Sequence, residues 1–341
     1  MVQVWYPAAP SKQARLAPYA ISPQLYGKDH WVHERAHVQT RSALDAPLAK
    51  APQRFPVLIY NHGGLHPHFS ATFQTEFLAS HGYVVVSIGH PGANEIERFP
   101  DGTTYKNDGK QWMVQPANAR QLPLRERWED SWIKSDISLF VQDVSFVLDR
   151  LTQLNTTPKH RFQSRLDLEK VGALGWSLGG LISLQASRDE PRIKAAANLD
   201  GWPFGLLGPK GVVTLGSEKP LLLMFADSPD WGQVPANFTG NVDAGEVEAG
   251  SLAATHYWTM LRRTTADWYR VTIARTIHDH FSDNLLFQPE DAQLMPPRVA
   301  HEIINGYALA FFDRYVKGSN DTAPLLSGER SFPEARLLRG K

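Results

Sequence analysis

Short apolar runs recur along this chain of 341 residues, and glycine, proline or aspartate bounds them. The runs cover residues 55–60, 83–88, 170–176, 193–199, 221–226 and 269–274. Strands that are apolar on both faces are typical of a parallel sheet covered by helices on both sides. Between the runs, apolar residues recur with helical spacing, as they do in 132–154 and 299–316. This alternation predicts an α/β fold with a mostly parallel central sheet.

The segment 132–154 has the clearest helical period, so we expect a single long helix with one buried face. That face would carry Ile133, Ile137, Phe140, Val144, Val147, Leu151 and Leu154. The helix over 299–316 is expected to stop at Gly318, because glycine is common just past a helix end.

Strand and helix alternate over the whole length, which predicts a single domain over residues 1–341. Some polar stretches rich in glycine and proline interrupt the alternation, and long loops in a compact domain are usually lids or binding loops. We therefore expect segments 91–130 and 228–265 to be insertions over the active site.

Two counts exclude classes of function. The chain has 35 Lys and Arg against 35 Asp and Glu, which argues against a nucleic-acid partner because phosphate binding needs excess positive charge. It has no cysteine, which excludes disulfides, thiolate nucleophiles and cysteine-bound metal. We expect no cofactor.

The strongest motif is Gly175-Trp176-Ser177-Leu178-Gly179-Gly180, directly after one apolar run and directly before an apolar helix. G-x-S-x-G between a strand and a helix is typical of a nucleophile elbow. The turn holds the serine in a strained conformation with its Oγ exposed, and the N-terminus of the helix faces developing negative charge. Ser177 is therefore the candidate nucleophile.

A second motif, Asn61-His62-Gly63-Gly64-Leu65, follows the run 55–60. H-G-G after an early strand supplies a backbone N–H to the oxyanion hole of such enzymes. We expect the N–H groups of Gly64 and Leu178 to form that hole. Trp176, Trp202 and Leu65 adjoin these residues, so we expect them to contact the substrate.

A serine nucleophile needs a base and an acid that orients the base, and in this fold the order along the chain is serine, acid, histidine. His278 follows the last apolar run and is the candidate base, with His280 as the alternative. Asp200 and Asp227 end consecutive runs and are both candidate acids. The commoner arrangement favours Asp227, and position alone leaves the choice open.

The chain resembles the platelet-activating-factor acetylhydrolases, a family of α/β-hydrolases grouped with dienelactone-hydrolase-like esterases. The similar stretches are residues 4–8, 55–64, 78–85, 143–151, 171–180, 198–205 and 277–283, in the order of the family. In that family the acid is the aspartate of an L-D-x-W-x-F stretch, which matches Asp200. The family histidine precedes a stretch ending in Phe-x-Asp, which matches His278. Trp176 stands where the family usually has histidine, and Gly64 where the plasma type has a larger residue.

The resemblance implies a metal-independent serine esterase or lipase that acts through an acyl-enzyme on short-chain or phospholipid-type esters. Two alternatives remain: an α/β-hydrolase that cleaves a lactone, amide or polyester, and a catalytically dead hydrolase-fold binding protein. His62, His66 and His68 could instead suggest zinc, but they lack helical spacing and a nearby carboxylate, so we expect no metal.

The expected partner is a small ester or lipid substrate. No apolar run reaches the roughly 18 residues that span a bilayer, so we expect no integral membrane segment. The sequence leaves the oligomeric state open. It begins as if in mid-strand, from which we expect a preceding segment in the natural protein. A secreted or periplasmic location follows if that segment held a signal peptide, and a cytoplasmic one if it did not.

Overall fold

A sheet of eight strands forms the centre of the molecule in the part of the chain that the structure describes. This computed structural model describes the chain except for residues 12, 21–22, 27–29, 100, 108–123, 228–243, 290, 322 and 330–331. The strands in chain order are β1 (Val2–Trp5), β2 (Leu16–Pro18), β3 (Gln39–Ala43), β4 (Phe55–Asn61), β5 (Val84–Ile88), β6 (Ile96–Arg98), β7 (Thr104–Lys106), β8 (Leu166–Trp176), β9 (Ile193–Leu199), β10 (Leu221–Ala226), β11 (Trp268–Ile273) and β12 (Ala335–Gly340).

The helices lie between these strands. In chain order they are α1 (Val32–Arg35), α2 (Thr72–Ser80), α3 (Leu124–Lys134), α4 (Ser138–Thr156), α5 (Leu178–Asp189), α6 (Val212–Leu215), α7 (Ala244–Arg263), α8 (Pro297–Phe312) and α9 (Ala323–Ser327). Short 3-10 helices cover Pro23–Leu25, His278–Phe281 and Asn284–Phe287, and a π-helix covers Asp313–Lys317.

The strand order of the central sheet is β1-β5-β4-β8-β9-β10-β11-β12. From β5 to β11 the neighbours are parallel, and the edge strands β1 and β12 are antiparallel. Strands β4, β5 and β10 are buried along their whole length, as the apolar runs predicted. The α/β-hydrolase fold expected from the sequence is therefore confirmed.

The single long helix expected over 132–154 is wrong. Residues 135–137 interrupt it, so α3 ends at Lys134 and α4 begins at Ser138. Because of this break, α3 does not continue the buried face of α4. Ile133 is therefore 55% exposed, although its spacing predicted burial. Phe140, Val144, Val147 and Leu151 are buried as expected.

The expected insertions contain regular structure. Segment 91–130 includes the hairpin of β6 with β7 and the beginning of α3, while 108–123 lie outside the described residues. Segment 228–265 includes α7, which connects the parallel strands β10 and β11, while 228–243 lie outside the described residues. None of the helices in the described ranges is long and apolar enough to cross a membrane.

The carboxyl ends of the parallel strands place the candidate residues at one edge of the sheet. Asn61 ends β4, Ser177 follows β8, and Asp200 follows β9. His278 lies on the 3-10 helix after β11. Ligands of open α/β sheets bind at this edge.

Candidate active site

The elbow at Ser177 has the strained geometry expected of a nucleophile. Ser177 has φ 55° and ψ −122°, a conformation that costs a non-glycine residue on the order of 1–3 kcal/mol. Its N–H donates to the carbonyl of Leu199 across 2.8 Å, which fixes the turn against β9. The residue is partly exposed, although its neighbours along the chain are buried.

The glycines around Ser177 are required because backbones approach closely there. A Cβ on Gly179 would lie 1.9 Å from the carbonyl oxygen of Asn61, and a Cβ on Gly175 would lie 2.4 Å from the same atom. Both distances are below any real carbon–oxygen contact. The end of β4 therefore packs directly on the first turn of α5, which brings the two candidate loops together.

Asp200 and His278 lie in contact. Asp200 is fully buried, and its Oδ1 accepts the N–H of Ala226 at 2.8 Å while its Oδ2 accepts the Nδ1–H of His278 at 2.7 Å. Because Nδ1 carries the proton that the carboxylate accepts, Nε2 is the basic nitrogen of the neutral ring. This orientation suits a general base.

The two alternative residues, Asp227 and His280, make different hydrogen bonds. Asp227 directly follows β10, and its N–H donates to the carbonyl of Ile273, while partial burial raises the pKa of its carboxyl. His280 is fully buried: its Nδ1 accepts the N–H of Ile277, and its Nε2 donates to the carbonyl of Met295. Burial lowers the pKa of His280, and both ring nitrogens are used in holding the loop. The structure brings His278, not His280, to Asp200.

Trp176 connects the elbow to the histidine loop. Its Nε1 donates to the carbonyl of His278 at 3.1 Å, and the two rings lie 5.0 Å apart. The indole is only 1% exposed, and a Cβ on Gly63 would lie 2.5 Å from it. Trp176 therefore contacts both Gly63, in the loop after β4, and His278.

The loop after β4 has the features of an oxyanion loop. Among the described residues, no backbone carbonyl accepts the N–H of Gly64 or of Leu178. The N–H of Leu65 donates to the carbonyl of Ala93 at 2.7 Å, so Leu65 with φ 65° closes the turn. The side chain of Leu65 is 56% exposed. Two backbone donors and an open apolar side chain thus adjoin the elbow.

Trp202 belongs to an aromatic group beside the loop that carries Asp200. Its ring packs edge-on against Trp132 at 6.1 Å, and it is only partly buried. From α7, the hydroxyl of Tyr257 donates to the carbonyl of Gly201 at 2.8 Å. Helices α3 and α7 therefore border the loop that carries Asp200.

The histidines of the loop 61–68 are embedded in the protein. Burial holds the pKa of His62 well below its ordinary value and lowers the pKa of His66 to about 4. The ring of His66 lies 4.7 Å from Trp176, and His68 lies 3.8 Å from the buried carboxylate of Glu97. In the described ranges no group of three or more His, Asp or Glu is arranged to hold a metal ion.

The sequence reasoning did not assign two further carboxylates. Asp283 is buried and accepts the N–H groups of Thr72 at 2.6 Å and Phe73 at 3.1 Å, which ties the histidine loop to the start of α2. Asp143 on α4 binds His90, two residues after β5. Both lie in stretches that the family resemblance singled out, but spacing alone gave no sign of their partners.

The chain is similar to several known hydrolases. Residues 140–205 match the family model described as PETase: PET hydrolase-like. A platelet-activating factor acetylhydrolase from Cavia porcellus is 26% identical over 184 residues, which cover 49% of this chain and 39% of that protein. A probable 1-alkyl-2-acetylglycerophosphocholine esterase from Arthroderma benhamiae is 29% identical over 221 residues, which cover 62% of this chain and 49% of that protein.

The matches to these curated relatives therefore span less than half of their length. Among solved structures, a ferulic acid esterase from Streptomyces cinnamoneus has a TM-score of 0.68 and 25% identity. That alignment covers 99% of this chain and 88% of the other. The chain thus has the α/β-hydrolase fold and is similar to platelet-activating factor acetylhydrolases and to esterases.

Proposed function

We propose that the protein is a metal-independent serine hydrolase of carboxylic esters. The observation that supports this most is the hydrogen bond between His278 Nδ1 and buried Asp200, next to a strained serine elbow. A serine with this base and acid supplies its own nucleophile and proton carrier, so the reaction needs no metal or cofactor.

The reaction proceeds in two halves. His278 Nε2 takes the proton of Ser177 Oγ as that oxygen attacks the ester carbonyl, and returns it to the leaving alcohol as the carbonyl re-forms. Water then attacks the acyl-enzyme with the same histidine as base, which releases the acid and restores Ser177. The N–H groups of Gly64 and Leu178 stabilise the oxyanion in both halves. Asp200 holds the imidazole in the required tautomer.

The names of the relatives guide the choice of substrate. They include acetylhydrolases and esterases, so short-chain and phospholipid-type esters are the first substrates to test, together with lipase-type glycerides. Exposed Leu65 and the aromatic group at Trp202 offer apolar contacts for an acyl or aryl group. A polyester is the second candidate, because residues 140–205 match a model described as PET hydrolase-like.

We further propose a single domain over residues 1–341, because one sheet includes both β1 and β12. In this arrangement the segments 91–130 and 228–265 border the site through α3 and α7.

Replacement of Ser177 by alanine tests the proposal. We expect hydrolysis of p-nitrophenyl acetate and butyrate to fall to the rate of the free ester in buffer, with the melting temperature of the variant unchanged. Turnover of the alanine variant at a rate comparable with the parent would contradict the mechanism. A parallel series of chain lengths, a short-chain phospholipid and a polyester film ranks the substrates.

A further inference from the structure

A second histidine–aspartate pair lies behind the oxyanion loop, apart from the pair of His278 and Asp200. His90 is fully buried, and its Nδ1 lies 2.8 Å from Asp143 Oδ2, while the side chain of Asp143 is 29% exposed. The Nε2 of His90 lies 3.0 Å from Asn61 Oδ1. The same imidazole therefore contacts a carboxylate on α4 and the last residue of β4.

The orientation of the Asn61 amide follows from its neighbours. Ser183 Oγ donates its single proton to the carbonyl of Gly179 at 2.8 Å, so this oxygen must accept from Asn61 at 2.9 Å. The Asn61 atom that faces Ser183 is therefore the amide nitrogen, and the atom that faces His90 is the carbonyl oxygen.

The charge of His90 follows in turn. Both of its ring nitrogens face acceptors, the Asp143 carboxylate and the Asn61 carbonyl oxygen, so both carry a proton. A doubly protonated imidazole bears a positive charge, and the carboxylate of Asp143 compensates it. A buried charge is tolerated when it is paired and hydrogen-bonded in this way.

The pair is joined to the oxyanion loop by two routes. The backbone N–H of His90 donates to His62 Nε2 at 3.1 Å, and His62 Nδ1 donates to the carbonyl of Gly63 at 2.7 Å. Through Asn61 and Ser183 the pair also reaches Gly179 in the first turn of α5. Both proposed oxyanion donors, Gly64 and Leu178, thus adjoin residues that this network fixes.

Other groups around His90 are consistent with this charge. Besides Asp143, the elements packed on the ring contribute the neutral amide of Asn61, the imidazole of His62 and the ring of Phe140 at 5.5 Å. Burial first, and the neighbouring charge of His90 next, lower the pKa of His62, which remains neutral.

We propose that buried His90 and partly exposed Asp143 form an ion pair that positions the oxyanion loop for ester hydrolysis and adds a positive charge behind it. The inference rests on the proposed function. His90 and Asp143 touch no reacting atom, so they are positioning residues. An oxyanion forms only along the reaction path, so their loss should lower kcat and leave KM nearly unchanged.

The kinetic test compares Asp143→Asn and His90→Gln with Tyr83→Phe. Tyr83 directly precedes β5, so it lies at the opposite end of the strand from His90, and its hydroxyl donates to buried Asp313 at 2.9 Å. The control thus loses one buried hydrogen bond far from the site. All rates are divided by the folded fraction from urea unfolding.

We expect kcat for p-nitrophenyl butyrate to fall about 10- to 100-fold in Asp143→Asn and in His90→Gln. This loss does not exceed the ~10²–10³-fold loss caused by removing one oxyanion donor, because the donors are displaced and not removed. KM should stay within about twofold, and Asp143→Glu should recover part of the kcat. Values of kcat within about threefold of the Tyr83→Phe variant would overturn the positioning role.

The spectroscopic test measures the protonation of the His90 ring by NMR. In protein labelled with ¹⁵N-histidine, the ring resonances missing from His90→Gln identify His90, and we expect two protonated nitrogens at pH 7.5 in the parent protein. A neutral ring would overturn the ion pair. Failure of the proposed function has a different signature, since turnover would then survive Ser177→Ala while the His90 resonances stayed those of a charged ring.

Discussion

His278 Nδ1 lies 2.7 Å from Oδ2 of Asp200, the residue directly after β9, whereas Asp227 directly follows the neighbouring strand β10. Asp200 has φ 57°, a conformation that turns its side chain out of the strand direction and toward the histidine loop. The proposed acid, Asp200, therefore follows the strand next to the one that precedes Ser177, one strand earlier than in the commoner arrangement of the fold.

Replacement of the two aspartates by asparagine separates their roles. Asp200→Asn should lower kcat/KM for p-nitrophenyl butyrate by about 10⁴-fold, because the amide stabilises the wrong histidine tautomer. Asp227→Asn should change it by less than about threefold. A large loss in the Asp227 variant with a small loss in the Asp200 variant would move the acid to β10.

The two histidines of the 3-10 helix should differ in the same way. His278→Gln should abolish measurable turnover without lowering the stability much, since this ring lies at the edge of the site. His280→Gln should lower the free energy of unfolding by about 1–3 kcal/mol, because it disturbs two buried hydrogen bonds. Its kcat per folded molecule, measured after urea titration, should stay near that of the parent, and a lost kcat there would make His280 the base.

Gly63 tests the contact between the oxyanion loop and Trp176. In Gly63→Ala the new Cβ would meet the indole at 2.5 Å, so the loop or the ring must move. We expect kcat to fall by about 10-fold or more with a smaller change in KM. Gly208→Ala is the matched control, because its Cβ would meet nothing within 4 Å. Equal rates for the two variants would show that the loop tolerates the displacement.

Asp283 should contribute a pH dependence to stability. Burial raises the pKa of its carboxyl from 3.8 to about 7, so between these values the folded state holds a proton that the unfolded state has released. The stabilisation is therefore complete below pH 4 and is lost as the pH rises to 7, with a slope of at most about 1.4 kcal/mol per pH unit.

Urea unfolding of the parent and of Asp283→Asn at several pH values measures this contribution. The free energy of unfolding of the parent minus that of the variant should fall steadily from pH 4 to pH 7 and then level off. The subtraction removes His66 and His301, whose pKa values are lowered to about 4 and which act in the opposite direction. A constant difference over this range would contradict the raised pKa.

Sequence patterns predicted the strands of the sheet well where burial decides the pattern. Runs 193–199 and 221–226 coincide with β9 and β10, because strands covered on both faces are largely apolar; in β9 the exposed residue is Lys194. The edge strand β12 was missed, since Ala335–Gly340 is only partly buried and two of its six residues are arginines, so it forms no continuous apolar run. The break between α3 and α4 was missed because apolar spacing continues across 135–137.

The elbow could be found from the sequence because Gly175 and Gly179 lie where the backbone of Asn61 leaves no room for a Cβ, so the motif requires glycine at these positions. Local pattern could not choose between Asp200 and Asp227, since both end parallel strands at the same edge of the sheet. Nor could it find the pair of His90 and Asp143, whose members are 53 residues apart and meet only when α4 packs on the sheet.

Covalent labelling of Ser177 tests the central claim most directly. The protein is incubated with a fluorophosphonate probe, and the modified residue is located by peptide mass spectrometry, with Ser177→Ala and a preincubated ester substrate as controls. We predict one adduct per chain, on Ser177, that is absent from the alanine variant and slowed by the ester. A protein that hydrolyses esters yet takes up no probe, or takes it up at another serine, would contradict the account.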